Sequence, residues 1–218
     1  MVRKFNPTWV DIEPPPVYFI VVIGNEIEEI QYEQARKTWA KRAPQFSLFK
    51  RRAIVPDTID AAEKITPLNF FKKAPNKEFK AWRDFTDSEK SVWYSHANLW
   101  HMCIEKNKPI IILESDCVLT KALDWKTFRL WEMMCFATFR NKKWAANGYY
   151  ITPTAAKFLL YLLKNPIDHN VDSWIHKVCD QIGEWRFFAK HLGTPGNSTI
   201  EHTPEEIDPR FRDIPIKL

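Results

Sequence analysis

Residues 109–118 read Pro109-Ile110-Ile111-Ile112-Leu113-Glu114-Ser115-Asp116-Cys117-Val118. A run of branched apolar residues that stops at two carboxylates describes a strand buried on both faces, the kind found inside an α/β sheet. Residues i and i+2 of a strand point the same way, so Glu114 and Asp116 are expected to project together from the strand end. Open α/β sheets take their ligands at such ends. Two hard oxygen donors side by side suit a divalent cation, although acids at a strand end also serve as simple turn formers.

The segments before this strand set up the same architecture. Val17–Ile23 is β-branched and aromatic, follows Pro14-Pro15-Pro16 and runs into Gly24-Asn25, which predicts a buried first strand behind a lead-in arm. Good helix formers from about Ile27 to Arg42 end near Pro44, and Arg51–Val55 reads as a short second strand closed by Pro56-Asp57. The resulting β-α-β unit opens an α/β fold. Residues 56–85 lack clear periodicity and carry Lys72, Lys73, Lys77, Lys80 and Arg83 among Phe70, Phe71, Phe79 and Trp82. Such a stretch reads as a solvated loop pinned by its aromatics, and the same mixture can grip phosphates and stack on bases. Thr86-Asp87-Ser88-Glu89 is a capping box, and Trp93, Ala97, Trp100 and Ile104 follow at helical spacing.

Beyond the central strand, Leu130–Phe139 is apolar enough for another strand, and its periodicity also permits a helix. Trp144–Ile151 reads as a strand leading into Thr152-Pro153, an N-cap with proline at the first helical position. Ala156, Leu159, Leu160 and Leu163 line that helix up to Asn165-Pro166. Val171, Trp174, Ile175 and Val178 line a last one before Gly183. The expected organisation is an arm over 1–16, a single α/β domain over 17–192 and an irregular, proline-rich tail over 193–218.

With 218 residues, 45% of them hydrophobic, the chain suits one domain with a substantial core. Its five glycines build neither G-x-G-x-x-G nor G-x-x-x-x-G-K, which disfavours P-loop NTPases, protein kinases and standard Rossmann dehydrogenases. Cys103, Cys117, Cys135 and Cys179 have no C-x-x-C spacing and are expected as buried thiols in a reducing, cytoplasmic setting. No apolar run reaches the length of a transmembrane segment. A net charge of +5 suits an anionic partner without choosing one.

Three ordered segments carry a resemblance. Phe85–Trp100, through Thr86, Glu89, Ser95, His96 and Trp100, resembles the "L-T-x-G-E-x-G-C-x-L-S-H-x-x-L-W" helix of glycosyltransferase family 25. Ile111–Val118 is similar to that family's "L-I-L-E-D-D-V" strand end. Gly148-Tyr149-Tyr150-Ile151-Thr152, with Ala155-Ala156, Leu159-Leu160 and Pro166-Ile167-Asp168, resembles its "G-x-x-Y-x-I-S-x-x-A-A-x-x-L-L … P-x-D" block. Ser115 stands where the family has the middle acid of E-D-D, and Ser88 and Ser91 replace two glycines.

The resemblance implies a GT-A-like α/β fold with a mixed, mostly parallel sheet. It further implies transfer of a sugar from a nucleotide-sugar, a UDP-sugar by family habit, to an acceptor hydroxyl. Asp116 with Glu114 would hold a divalent metal, Mn2+ or Mg2+. Glu114, Asp116, His96, Ser95, Arg36 and Tyr149 are the expected donor contacts. Asp168 is the expected base for the acceptor hydroxyl, with Asp172 as runner-up and Glu89 as a further catalytic carboxylate; Asp168 equally reads as the cap of the following helix. The acceptor is anionic on either of two readings, a lipooligosaccharide-type glycolipid or a hydroxymethylated base in DNA. A non-catalytic nucleic-acid-binding protein on a decayed transferase fold is the alternative function. A metal nuclease would need a lysine close to Asp116, where only Lys121 is at hand.

Overall fold

The computed structural model describes residues 13–70, 84–139, 142–143, 146–167 and 169–191. In chain order these form β1 (Val17–Val21), α1 (Glu26–Arg42), β2 (Leu48–Arg52), α2 (Ile59–Ile65), α3 (Asp87–Lys106), β3 (Ile110–Glu114), β4 (Cys117–Leu119), β5 (Met133–Phe139), β6 (Lys142–Lys143), β7 (Gly148–Ile151), α4 (Pro153–Leu162), α5 (Val171–Ile182) and β8 (Glu184–His191). The strands make one sheet in the order β2-β1-β3-β7-β5-β8-β4, with β6 paired to β5. The central apolar run is thus an interior strand.

Strand alternation divides the core in two. Tyr18, Ile110, Ile112, Met133, Cys135, Tyr149 and Ile151 face α3, α4 and α5. Their neighbours Val17, Phe19, Val21, Ile111, Leu113, Met134, Phe136 and Tyr150 face α1 on the other side, packing with Tyr32, Ala35 and Trp39. A period of two on a sheet covered on both faces turns every strand residue into core, which is why β3 reads as an unbroken apolar run.

The fold is mixed α/β, as expected, but among the named strands of the described residues parallel pairing is confined to β2-β1-β3 and to β5-β8. β7 runs antiparallel to both β3 and β5, and β4 antiparallel to β8. The return from β5 at Phe139 to β7 at Gly148 is too short for a crossover helix, so β7 must run back.

β2 lies at Leu48–Arg52 rather than at the expected Arg51–Val55, in register Val17↔Leu48. As an edge strand with four of its five residues exposed it carries little apolar signal; Ala53–Val55 instead leave the sheet at its upper end. α2 occupies part of the stretch expected to be a loop. β4 and β8 have no counterpart in the periodicity, being short or amphipathic.

The helix starts agree with the sequence. Thr86 accepts from the Glu89 N–H at 3.2 Å, while Glu89 Oε2 accepts from the Thr86 N–H at 2.8 Å, and α3 ends on a left-handed Asn107. Gly148 opens β7 where a Cβ would lie 2.9 Å from Cys117 Sγ and 2.9 Å from the Phe136 ring. Only glycine lets β7 approach the end of β3 this closely.

Candidate functional site

A cleft of about 230 Å³ opens at the C-terminal ends of β1, β2 and β3. From β1 the chain passes through α1, on one face, to β2; it then returns along α3, on the other face, to β3 on the opposite side of β1. The connection reverses between β1 and β3, and that switch point is where an open α/β sheet leaves a crevice. Asn25 and Glu28 from the start of α1, Ala53–Val55 beyond β2, one face of α3 (Ser88, Ser91, Ser95, His96) and Glu114-Ser115-Asp116 form its walls.

Glu114 ends β3, Ser115 and Asp116 form a turn, and β4 begins at Cys117. Strand alternation therefore does not bring the two carboxylates together. Asn147 does: its Nδ2 donates to Asp116 Oδ1 at 2.6 Å and to Glu114 Oε2 at 3.3 Å. Its carbonyl accepts from the Glu114 N–H at 3.0 Å, extending the β3-β7 ladder by one rung. The far side of the turn is pinned to α1. Trp39 Nε1 donates to the Cys117 carbonyl at 3.0 Å, Arg42 to the Leu119 carbonyl at 2.8 Å, and Thr38 Oγ1 accepts from the Leu119 N–H at 2.9 Å. Asp116 is buried, whereas the Glu114 side chain keeps 28% of its surface exposed to the cleft.

His96 sits in the wall beneath Glu114, with Nε2 4.0 Å from Glu114 Oε1. Its Nδ1 lies 2.8 Å from the Tyr149 hydroxyl, which also accepts from Trp100 Nε1 at 2.8 Å. With the indole on one side of that oxygen, we assign the tyrosine proton to Nδ1 and hence the imidazole hydrogen to Nε2, the nitrogen that faces Glu114. Burial pushes the His96 pKa down to about 3, so the ring is neutral. Its buried Nε2 makes no hydrogen bond among the described residues. The cleft wall thus holds a neutral donor oriented by two residues of the core.

Glu28, Glu114 and Asp116 give the cleft three carboxylates, and among the described residues no lysine or arginine lines it. Glu28 is buried and accepts from the Val22 N–H at 2.7 Å. Among the described residues no cluster of three or more His, Cys, Asp or Glu is arranged to hold a metal. Glu114 and Asp116 nevertheless suit a hard cation that takes one or two carboxylates and completes its shell with water and phosphate oxygens. By donor chemistry, the pair fits Mg2+ or Mn2+.

The other expected site residues fall into distinct places. Ser95 lines the cleft, but its hydroxyl donates to the Ser91 carbonyl and accepts from the Ile54 N–H, both at 2.8 Å, so it ties two walls together. Tyr149 is fully buried behind His96. Arg36 does not line the cleft: its side chain is 41% exposed and paired with Glu33 at 2.9 Å. Glu89 is likewise absent from the lining and engaged in the α3 cap. Asp172 Oδ1 accepts from the Ala146 N–H at 2.8 Å, next to Asn147. Asp168 and the basic stretch 71–83 lie outside the described residues. Sequence reasoning missed Asn147 and Glu28. Asn147 had one available signal, its place directly before Gly148 of the third motif, whereas Glu28 looks like any acid in a helical first turn.

Residues 30–131 match the model of glycosyltransferase family 25, described as an LPS biosynthesis protein. That range holds the α3 motif and the Glu114–Asp116 turn and stops short of Asn147. No curated protein matches the chain. Among solved structures, a glycosyltransferase involved in the glycosylation of the major capsid of PBCV-1 aligns with a TM-score of 0.43 at 10% identity, over 83% of this chain and 95% of that one. The apo form of mouse xyloside xylosyltransferase 1 aligns with a TM-score of 0.40 at 8% identity, over 78% of this chain and 77% of its own.

Proposed function

We propose that the chain, which is similar over residues 30–131 to glycosyltransferase family 25, is a glycosyltransferase that moves a sugar from a UDP-sugar to a hydroxyl of an anionic surface glycan. One observation carries the reading. The cleft at the switch point presents three carboxylates and, among the described residues, no lysine or arginine, so it suits a diphosphate that arrives with a divalent cation and disfavours a bare one.

Bound there by Glu114 and Asp116, Mn2+ or Mg2+ would neutralise the charge that develops on the departing diphosphate. Ser115, in place of the family's middle acid, lines the cleft as a neutral residue and leaves this pair in place. The apolar wall of Ile20, Val55 and Val92 offers a dry flank for the nucleoside. The His96 Nε2–H adds a neutral donor to a phosphate or sugar oxygen, which costs the site none of its attraction for a cation. We assign removal of the acceptor proton to Asp168, on its family position. The family's description favours a glycolipid acceptor, met from the cytoplasm. Free cysteines at 103, 117, 135 and 179 suit that reducing compartment, and among the described residues no helix is long and apolar enough to cross a membrane.

The test is release of UDP from a panel of UDP-sugars with Mn2+, in the wild type and in Asp116→Ala. We expect metal-dependent release, stimulated by lipooligosaccharide and lost in the variant. Absence of both hydrolysis and UDP binding sinks the proposal. Stimulation by hydroxymethylated DNA but not by glycan would transfer the acceptor to nucleic acid.

A further inference from the structure

We infer that Asn147 is the positioning residue that makes the Glu114–Asp116 pair a cation site, and that Asp172 acts by holding Asn147 in place and not as a base. The inference rests on the metal-assisted reading above. Two carboxylates at the end of one buried strand repel each other and would splay apart. Asn147 offers each of them one hydrogen of a single amide, at 2.6 and 3.3 Å. It does so without charge. A lysine or arginine in its place would hold the acids equally well, but would cancel the negative potential that draws a cation in.

The orientation of the amide has a cost. Asn147 is fully buried, and its Oδ1 makes no hydrogen bond among the described residues. A stranded buried carbonyl is unfavourable, yet reversing the amide would turn its oxygen towards both acids, which is worse. A side chain kept in such a state serves the site more than the fold.

Two features aim it. Asp172, in the first turn of α5, accepts from the Ala146 N–H at 2.8 Å and fixes the backbone just ahead of Asn147. Gly148, just behind, leaves β7 close enough to Cys117 for the amide to reach Asp116. A carboxylate oxygen used as an acceptor can be replaced by an amide oxygen, whereas a general base cannot.

Mn2+ binding to the full chain, read by electron paramagnetic resonance with and without UDP, and UDP-sugar turnover test this together. Asn147→Ala should weaken Mn2+ binding about 10- to 100-fold, the usual range for a residue that orients metal ligands. Asn147→Ser, which keeps one short donor, should fall between and covers the case in which the alanine variant fails to fold. Asp172→Asn should stay within about threefold of wild type in Mn2+ affinity and kcat, while Asp172→Ala loses Mn2+ affinity. Wild-type Mn2+ affinity in a folded Asn147→Ala overturns the Asn147 assignment alone. Loss of kcat in Asp172→Asn at unchanged Mn2+ affinity restores Asp172 as a base and overturns its positioning role. Failure of the wild type to bind Mn2+ or UDP overturns the proposed function as well.

Discussion

Replacing Tyr149 by Phe removes one oxygen and should destabilise the protein far more than its size suggests. That oxygen accepts from Trp100 Nε1 and pairs with His96 Nδ1, each at 2.8 Å. Trp100 is fully buried and His96 is 1% exposed, so neither group has water to turn to. At about 1–3 kcal/mol for each stranded buried group, offset in part by the hydroxyl that no longer needs desolvation, the net loss is about 2–4 kcal/mol. In a domain of this size each kcal/mol moves Tm by about 2–4 °C, which predicts a fall of roughly 5–15 °C. Urea denaturation should show a lower midpoint at an unchanged slope. The stranded indole also predicts coupling: on a Trp100→Phe background the same substitution should cost at least about 1 kcal/mol less. A Tyr149→Phe protein within 0.5 kcal/mol of wild type, or strict additivity with Trp100→Phe, would refute the relay from core to cleft.

Acid should act through His96. In the fold its pKa lies near 3 against an ordinary 6.5, so between those values the unfolded chain binds the extra proton and stability falls as pH drops below about 6.5. The contribution reaches about 1.4 kcal/mol per pH unit; His96→Gln should flatten the wild-type slope between pH 6 and 4, and an unchanged slope would mean that His96 is not buried neutral. The capping box makes a different demand. Thr86→Ala and Glu89→Ala should each cost about 1 kcal/mol in thermal unfolding while kcat in UDP release holds, and a kcat collapse in Glu89→Gln would return Glu89 to the catalytic residues.

Much of this fold is written locally. The β3 run and its two acids, the Thr86 capping box and the Thr152-Pro153 helix start follow from short-range rules, because cap geometry and two-sided burial are decided within a few residues. The motif order located the wall of α3 and the turn at Glu114–Asp116 on the same reasoning. Edge strand β2 begins three residues before the expected Arg51, since an exposed edge leaves no apolar period to read.

The site itself was decided by tertiary contacts. Nothing near Asp116 in sequence announces Asn147, 31 residues on, whose amide reaches it only because antiparallel β7 passes beside β3 with glycine at the point of closest approach. Distance in sequence likewise hid the roles of Ser95, Tyr149 and Asp172, and for these and for Arg36 the work of the side chain is set by a hydrogen-bond partner. For Ser95, Tyr149 and Asp172 that partner is brought in by packing from another element; for Arg36 it is Glu33, on an exposed turn of its own helix. Sequence alone determined that a carboxylate pair ends a central strand. Whether those carboxylates form one site depended on what the folded sheet places across from them, because a hydrogen bond is fixed by position in space and local periodicity carries no record of it.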